Sequence, residues 1–246
     1  MPDVSSPRDV PRDDLQADPP AVDLTTTVVV VLGTPAATRA EDHRALADLV
    51  ARLTGVTAAS VSLSQVCPNC AQPGHGPLRV RLAGAPDGSP TVHVSLARAD
   101  GRLALAVTAA GPVGIDLESV AALARAPLAD VLLSAAEADA VAALHPRAAT
   151  AAVTAIWTAK EAVLKAAGVG LRVDPRDLTI AWETPVAPGS DAAHPRLAGW
   201  PHAPFLLNEL HLMRVATPPE FAAAVAVVCA RRPRLRLLPN RPRPGW

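Results

Sequence analysis

Two segments constrain the fold most, because one predicts a strand, the other a helix, and both carry acidic side chains. Residues 113–118 follow a Gly-Pro turn and are rich in β-branched and apolar residues, which predicts a β-strand. Alternation along a strand places Asp116 and Glu118 on one face. Two neighbouring carboxylates stay ionised together only when a cation or solvent offsets their repulsion. The pair therefore indicates either a site for a hard cation such as Mg²⁺ or an acidic strand edge facing solvent.

The second segment, residues 147–167, contains many alanines and neither glycine nor proline, and Gly168 follows it as a stop signal. This composition predicts a long helix. Trp157, Glu161 and Lys165 recur at every fourth position and so lie along one stripe. A surface Glu–Lys pair, stabilising a helix by only ~0.2–0.5 kcal/mol, is one interpretation. The large indole ring on the same stripe favours a face that covers other groups.

Together the two segments resemble a known signature. Residues 114–118 read G-I-D-L-E, and residues 157–165 read W-T-A-K-E-A-V-L-K. Their order, spacing and residue types are similar to the motifs of the 4′-phosphopantetheinyl transferases. The resemblance is to the larger single-chain class, which activates carrier proteins of polyketide and peptide synthases. Weaker resemblances are the His43-Arg44 pair of an early helix, the segment 133–137 before a short helix and the glycine turn at 168–171.

The resemblance implies an α+β fold of two similar lobes related by a pseudo-twofold axis. Each lobe would be a small, mainly antiparallel sheet packed on helices, with the active site in the cleft between them. The N-terminal lobe would span residues 24–112, and the C-terminal lobe, which carries the metal site, residues 113–232. Residues 1–23 predict a disordered tail and residues 233–246 a flexible basic tail. The sequence shows no clean internal repeat, so the two lobes depend on the resemblance.

The elements outside the two motifs follow from local patterns. The helix signals lie at residues 41–53, 128–133 and 134–144, the last opened by the Ser134 and Glu137 capping box. Residues 183–204, rich in Pro, Gly and Ala, predict a long loop. Strands are predicted at 24–32, 61–66, 78–82, 91–97, 103–107, 178–182, 210–215 and 221–229.

The resemblance also implies an activity. The chain would transfer the 4′-phosphopantetheine group from coenzyme A, its substrate, to a serine of an apo carrier protein, releasing 3′,5′-ADP. Asp116, Glu118 and Glu161 would hold the Mg²⁺ cofactor. Glu161 would take the proton of the serine hydroxyl, and Lys165 would offset charge on the pyrophosphate, so that Asp116, Glu161 and Lys165 form the catalytic set. Phosphoryl transfer needs this combination of an in-line nucleophile and charge neutralisation.

The residues implied to bind coenzyme A are Arg44, His75, Arg79, Ser95, Lys160 and Lys165. Two departures affect this set. Leu96 occupies the place of a histidine that contacts the 3′-phosphate, which His93 or Arg98 could replace. The loop at residues 74–79 alters the family's Gly-basic-Pro pattern, so the basic contact falls to His75 or Arg79. An alternative is therefore a non-catalytic homologue that binds coenzyme A or a carrier protein. Another Mg²⁺-dependent phosphotransferase is disfavoured because Walker A and kinase motifs are absent.

Cys67 and Cys70 form a C-x-x-C pair with His75 nearby. A structural zinc site uses four ligands, typically in two pairs, and no second pair follows. The remaining cysteine, Cys229, lies in an apolar run that predicts a strand. The sequence therefore favours two free thiols in a loop, able to form a disulfide on oxidation, over a zinc or redox site.

Composition limits the partners. The formal net charge is zero, so nothing attracts the chain as a whole to nucleic acid. The longest apolar runs are far shorter than the roughly 20 residues of a membrane-spanning helix, and the N-terminus lacks a secretory signal. We expect a cytoplasmic monomer whose partners are coenzyme A and an apo carrier protein. Because aromatics are 2% of the chain, the core must consist of Val, Leu, Ile and Ala. The sequence does not decide which carrier protein is served.

Overall fold

The protein has four layers, in which two β-sheets face each other and each carries a helix on its outer side. The structure is a computed structural model that describes residues 22–126, 128–183 and 194–239. Its helices are α1 Arg39–Thr54, α2 Val120–Ala124, α3 Ala129–Leu132, α4 Ala135–Ala142 and α5 Pro146–Ala166. Its strands are β1 Thr27–Gly33, β2 Val61–Val66, β3 Pro73–Leu82, β4 His93–Ala99, β5 Arg102–Thr108, β6 Val113–Ser119, β7 Thr179–Glu183, β8 His194–Gly199, β9 Leu210–Val215, β10 Phe221–Val228 and β11 Arg234–Leu238.

The first sheet has the strand order β11-β1-β5-β4. β1 pairs antiparallel with β5 and parallel with β11, and β4 pairs antiparallel with β5. Alternation divides the valines of β1 between two cores: Val29 and Val31 pack with the apolar face of α1, whereas Val28 and Val30 pack against the second sheet. The first sheet is therefore covered on both faces.

The second sheet has the order β6-β10-β9, with both pairs antiparallel. The two sheets share a pairing pattern. β1 pairs with β5, which pairs with β4, and β6 pairs with β10, which pairs with β9. β10 also alternates, since Val225 packs toward the first sheet and Ala224 toward α5. The hairpins β2–β3 and β7–β8 form two further small sheets. The prediction of an α+β fold with small antiparallel sheets is confirmed.

Local signals explain where the helices begin and end. α1 begins with a capping box between Thr38 and Glu41 and ends at Gly55, which has left-handed backbone angles. α4 begins with the predicted capping box of Ser134 and Glu137. α5 has Pro146 in its first turn, where a missing N–H has no consequence. Among the described residues, no helix is long and apolar enough to cross a membrane.

Two predictions from local composition are wrong. Residues 234–238, predicted as part of a loose tail, form β11, because Leu235 and Leu238 pack against the cores on either side of β1. Residues 194–199, predicted as part of a loop, form β8 because β7 supplies backbone partners. Residues 1–21, 184–193 and 240–246, to which the other tail and loop predictions apply, lie outside the described residues.

Candidate active site

The site begins with an unusually close approach of β6 to α5, which Gly114 permits. A Cβ atom on Gly114 would lie 2.0 Å from the Ala162 carbonyl oxygen and 2.5 Å from the Ala166 amide nitrogen. Ile115 and Leu117 point to the first sheet, so Gly114, Asp116 and Glu118 share the face toward α5. The glycine thus allows the two acidic segments to meet.

Polar contacts join the predicted stripe of α5 to the acidic face of β6. Lys165 Nζ lies 2.6 Å from Asp116 Oδ1 and donates to the Ile115 carbonyl at 3.2 Å. Trp157 Nε1 donates to Glu118 Oε1 at 3.1 Å. The helix stripe therefore covers the strand, and the alternative of a solvent-exposed Glu–Lys pair is wrong.

Burial makes the three carboxyl groups of the site hard to ionise, and Lys165 offsets this only in part. Burial raises the pKa of Asp116, which is 4% exposed, and the Lys165 ammonium offsets this only in part. Burial and the Asp116 charge raise the pKa of Glu118 to about 7. Burial, and then Asp116, also raise the pKa of Glu161. Each carboxyl resists ionisation, which is the condition that a bound cation relieves.

The donor set fits a hard divalent cation. Asp116 Oδ2 is buried and makes no well-formed hydrogen bond to any described residue. Asp116, Glu118 and Glu161 offer carboxylate oxygens, the ligands that Mg²⁺ prefers. The three groups are nevertheless more widely spread than a compact ligand cluster. Among the described residues, a compact group of three potential metal ligands is formed instead by Cys67, Cys70 and His75. Their ligand atoms all lie within 4.8 Å of one another.

The acidic site forms one wall of a cleft of about 940 Å³. Asp116, Glu161 and Lys165 contribute from the second half of the chain, together with the segment after α5. The first half contributes residues 93–98 of β4 and the turn between β2 and β3. Elements from both halves of the chain therefore line the cleft, together with the carboxylates of Asp116 and Glu161.

Cationic side chains also line this cleft. Arg39, Arg98 and Arg172 all line it, and only Arg98 was considered from the sequence. Arg98 is held in place because its Nε lies 2.8 Å from Oδ2 of the buried Asp42 and its guanidinium donates to the Ala36 carbonyl at 2.8 Å. No local sequence pattern predicts that Arg39 or Arg172 lines the cleft, because tertiary packing brings each of them there.

The residues predicted to bind coenzyme A divide into two groups. His75, Ser95 and Lys165 line the cleft. The Ser95 hydroxyl accepts the Ile115 N–H at 3.0 Å and so links β4 to β6. Arg44 and Arg79 are not among the residues that line the cleft. Arg44 is exposed on α1 and lies 3.7 Å from Glu41, and Arg79 is exposed on β3.

Lys160 was predicted to bind coenzyme A, and the structure contradicts this. The side chain is fully buried and pairs with the Glu137 carboxylate. Its ammonium also donates to the carbonyls of Leu132 at 2.7 Å and Pro175 at 2.9 Å. Burial lowers the pKa of Lys160, and Glu137 works against this. About 100° of helix rotation separates it from Glu161 and directs it toward α4 instead of the cleft.

Comparison with known proteins found a family model that matches the segment containing β6 and α5. The model of the 4′-phosphopantetheinyl transferase superfamily matches residues 112–204. That range includes β6, α5 and all three carboxylates, and it leaves the first sheet unmatched. Comparison with curated proteins gave no significant match.

Several solved structures are similar to part of the chain. A holo-[acyl-carrier-protein] synthase of Thermotoga maritima is 25% identical over 49% of this chain and 64% of its own, with a TM-score of 0.38. This chain thus spans less than two thirds of that protein. A Bacillus anthracis synthase in complex with coenzyme A (3′,5′-ADP) is 24% identical over 48% of this chain and 94% of its own, with a TM-score of 0.38. The Helicobacter pylori synthase in complex with coenzyme A is 21% identical over 47% and 98%, with a TM-score of 0.37.

Proposed function

We propose that this protein is a 4′-phosphopantetheinyl transferase. It would move the 4′-phosphopantetheine group from coenzyme A to a serine of an apo carrier protein and release 3′,5′-ADP. The observation that carries the proposal is the convergence of Asp116, Glu118, Glu161 and Lys165 beside a cleft of about 940 Å³. The superfamily match over residues 112–204 supports the same conclusion.

The charges of the cleft suit coenzyme A, which carries a diphosphate and a separate 3′-phosphate. Arg39, Arg98 and Arg172 line the cleft. Guanidinium groups bind phosphate oxygens through paired N–H donors, and Asp42 already orients Arg98. His75 also lines the cleft. The arginines thus take the role that the sequence assigned to Arg44 and Arg79.

Asp116, Glu118 and Glu161 would hold Mg²⁺, which when bound neutralises charge on the diphosphate and polarises the phosphorus. Glu161 lines the cleft. It would accept the proton of the carrier serine as the serine oxygen bonds to the β-phosphorus of coenzyme A. An ionised carboxylate within reach of the serine hydroxyl is the general base that this step requires. Lys165 would balance the negative charge that collects on 3′,5′-ADP as the phosphorus–oxygen bond breaks.

We extend the proposal to the larger single-chain class, acting as a cytoplasmic monomer on carriers of polyketide or peptide synthases. The repeated strand pattern of the two main sheets, β1-β5-β4 and β6-β10-β9, supports a pseudo-twofold relation between residues 24–112 and 113–232. A monomer would then hold both walls of the cleft within one chain, with β11 returning to the first sheet.

The test is mass spectrometry of apo carrier proteins incubated with the full chain, coenzyme A and Mg²⁺. We expect a gain of one phosphopantetheine per carrier. Glu161→Gln should lower the rate at least roughly 10²-fold, the scale of lost general-base help. Glu220→Gln, an exposed carboxylate elsewhere, is the matched control. Near-normal turnover by Glu161→Gln would refute its role. Coenzyme A binding without transfer to any carrier of a panel would favour the non-catalytic alternative.

A further inference from the structure

The turn between β2 and β3 brings three potential metal ligands together. The sulfurs of Cys67 and Cys70 and a ring nitrogen of His75 all lie within 4.8 Å of one another. Cys70 Sγ is 3.4 Å from His75 Nε2. In a tetrahedral zinc site, bonds of about 2.3 Å to sulfur and 2.0 Å to nitrogen place these atoms about 3.5 Å apart. The Cys70–His75 separation therefore already matches that of two ligands on one zinc ion.

The backbone of the turn favours a metal-binding form of Cys67. The Cys67 carbonyl accepts the Ala71 N–H at 2.9 Å, and the Cys67 N–H donates to the Gln72 carbonyl at 3.0 Å. The N–H groups of Cys70 and Asn69 hydrogen-bond to the Cys67 sulfur in this tight turn. Hydrogen bonds of this kind stabilise the thiolate, which is the form that binds a metal.

Gly76 holds His75 against the cysteine turn. Its φ of 95° is left-handed, and a Cβ atom there would lie 2.8 Å from the Cys67 Cα. Gln65 fixes the same point, because its side-chain amide donates to the Gly76 carbonyl at 2.7 Å. The pairing register of β2 with β3 shifts between Gln65 and Val66. The hairpin is therefore shaped so that His75, after the turn, folds back beside both sulfurs.

We propose that Cys67, Cys70 and His75 form a zinc site at the edge of the cleft. Two thiolates and a neutral imidazole balance the charge of Zn²⁺ and suit its preference for sulfur and nitrogen. All three residues line the cleft, so the fourth coordination position is open to its contents or to water. The zinc ion ties the turn to β3 and fixes this wall of the cleft. The site does not depend on the transferase activity.

The probe is Co²⁺, which occupies tetrahedral zinc sites and reports its ligands by colour. The full chain, reduced and stripped of metal, is titrated with Co²⁺ and then with Zn²⁺. We expect one equivalent of Co²⁺ with thiolate-to-cobalt charge-transfer absorption and the intense visible bands of tetrahedral geometry. Zn²⁺ should displace it. Mass spectrometry of the native complex should show one zinc ion per chain.

Ligand variants locate the site. Cys70→Ser and His75→Gln should each weaken Co²⁺ binding at least about 100-fold, more than the loss of a residue that only orients a ligand. Cys229→Ser should keep the absorption, because this cysteine follows the end of β10 and packs against the core between the two main sheets. Glu161→Gln should keep it too, since carboxylates give no sulfur charge-transfer band. Failure of the transferase assay would leave all of these results unchanged.

Three results would overturn the proposal. The fully reduced chain could show no charge-transfer absorption at saturating Co²⁺. The absorption could persist unchanged in Cys70→Ser or His75→Gln. The chain could also be isolated with a Cys67–Cys70 disulfide and bind no Co²⁺ after reduction, which would make the pair a redox-active dithiol.

Discussion

Among the residues of the site, Glu118 should make the stability of the folded protein depend most clearly on pH. Burial and Asp116 raise its pKa from 4.5 to about 7. The folded state therefore binds this proton more tightly than the unfolded state does. The resulting stabilisation is complete below the unfolded pKa and is lost as pH rises through about 7. Asp116 and Glu161, whose pKa values are also raised, act in the same direction.

We expect the metal-free protein to lose thermal stability between about pH 5 and pH 8, because these carboxyls are forced to ionise while buried. Glu118→Gln, which cannot ionise, should flatten that dependence and raise the unfolding temperature at pH 8. Mg²⁺ should stabilise the wild type at pH 8 more than it stabilises the variant. Thermal unfolding followed across pH, with chelator or Mg²⁺, measures this. Equal pH slopes for wild type and variant would count against the assignment, and exposed Glu220→Gln should follow the wild type.

Lys160 offers a second prediction for a single residue, because the two lysines of α5 have opposite surroundings. Lys160→Met removes the partner of the buried Glu137 and should lower the free energy of unfolding by about 3–5 kcal/mol. The affinity of the folded protein for coenzyme A should stay unchanged, since Lys160 does not line the cleft. Urea unfolding and calorimetric titration measure the two quantities. Arg147→Met, exposed on the same helix, is the control. Weaker coenzyme binding without lost stability would restore the role first predicted for Lys160.

At the scale of elements, the separation of β6 and α5 decides whether the carboxylates can act together. Small residues at the crossing permit the contact, since Gly114 packs on the backbone of Ala162 and Ala166. Lys165 then reaches Asp116 and Trp157 reaches Glu118. The close approach of β6 and α5 therefore brings their side chains within hydrogen-bonding distance of each other.

Gly114→Ala should therefore push the helix from the strand. Overpacking of this kind costs about 1–3 kcal/mol, and transfer should fall more than the lost stability explains, because Asp116 and Glu161 separate. Unfolding in urea and the carrier assay on folded protein measure the two effects. Gly199→Ala is the matched control, since its nearest contact would be an ordinary 3.8 Å. Full activity in Gly114→Ala would show that the close approach is dispensable.

At the scale of the whole molecule, the end of the chain closes the sheet that the beginning opens. β11 pairs parallel with β1 along Thr27–Val31, and the Arg234 N–H donates to the Thr26 carbonyl at 2.9 Å. β11 therefore protects the valine-rich edge of β1, which would otherwise be free to pair with another chain.

A chain ending at Arg232 should lose at least about 2 kcal/mol, because Leu235 and Leu238 no longer pack on the cores. The unfolding temperature should fall by roughly 4–8 °C, and the exposed β1 edge should promote aggregation. Thermal unfolding and light scattering measure both. A chain ending at Pro239 keeps β11 and is the control. Equal stability of the two truncated chains would show that β11 contributes nothing.

Features that depend on short-range interactions could be predicted from the amino-acid sequence. The alternation of residues 113–118 predicted which side chains of β6 share a face, and the alanine-rich run of 147–167 predicted α5 and its stripe. The capping box at Ser134 placed the start of α4. Each of these follows from backbone geometry and neighbours within a few residues, so a single sequence contains the required information.

Contacts between groups far apart in the chain could not be predicted in this way, because the packing of the folded chain determines them. This packing directed Lys160 into the core and Lys165 to Asp116, although the two lysines are only five positions apart in α5. It paired Asp42 with Arg98 at the cleft and gave residues 234–238 the partner strand that turned a basic tail into β11. These outcomes depend on packing between elements far apart in the chain, where burial and pairing energies outweigh local preference.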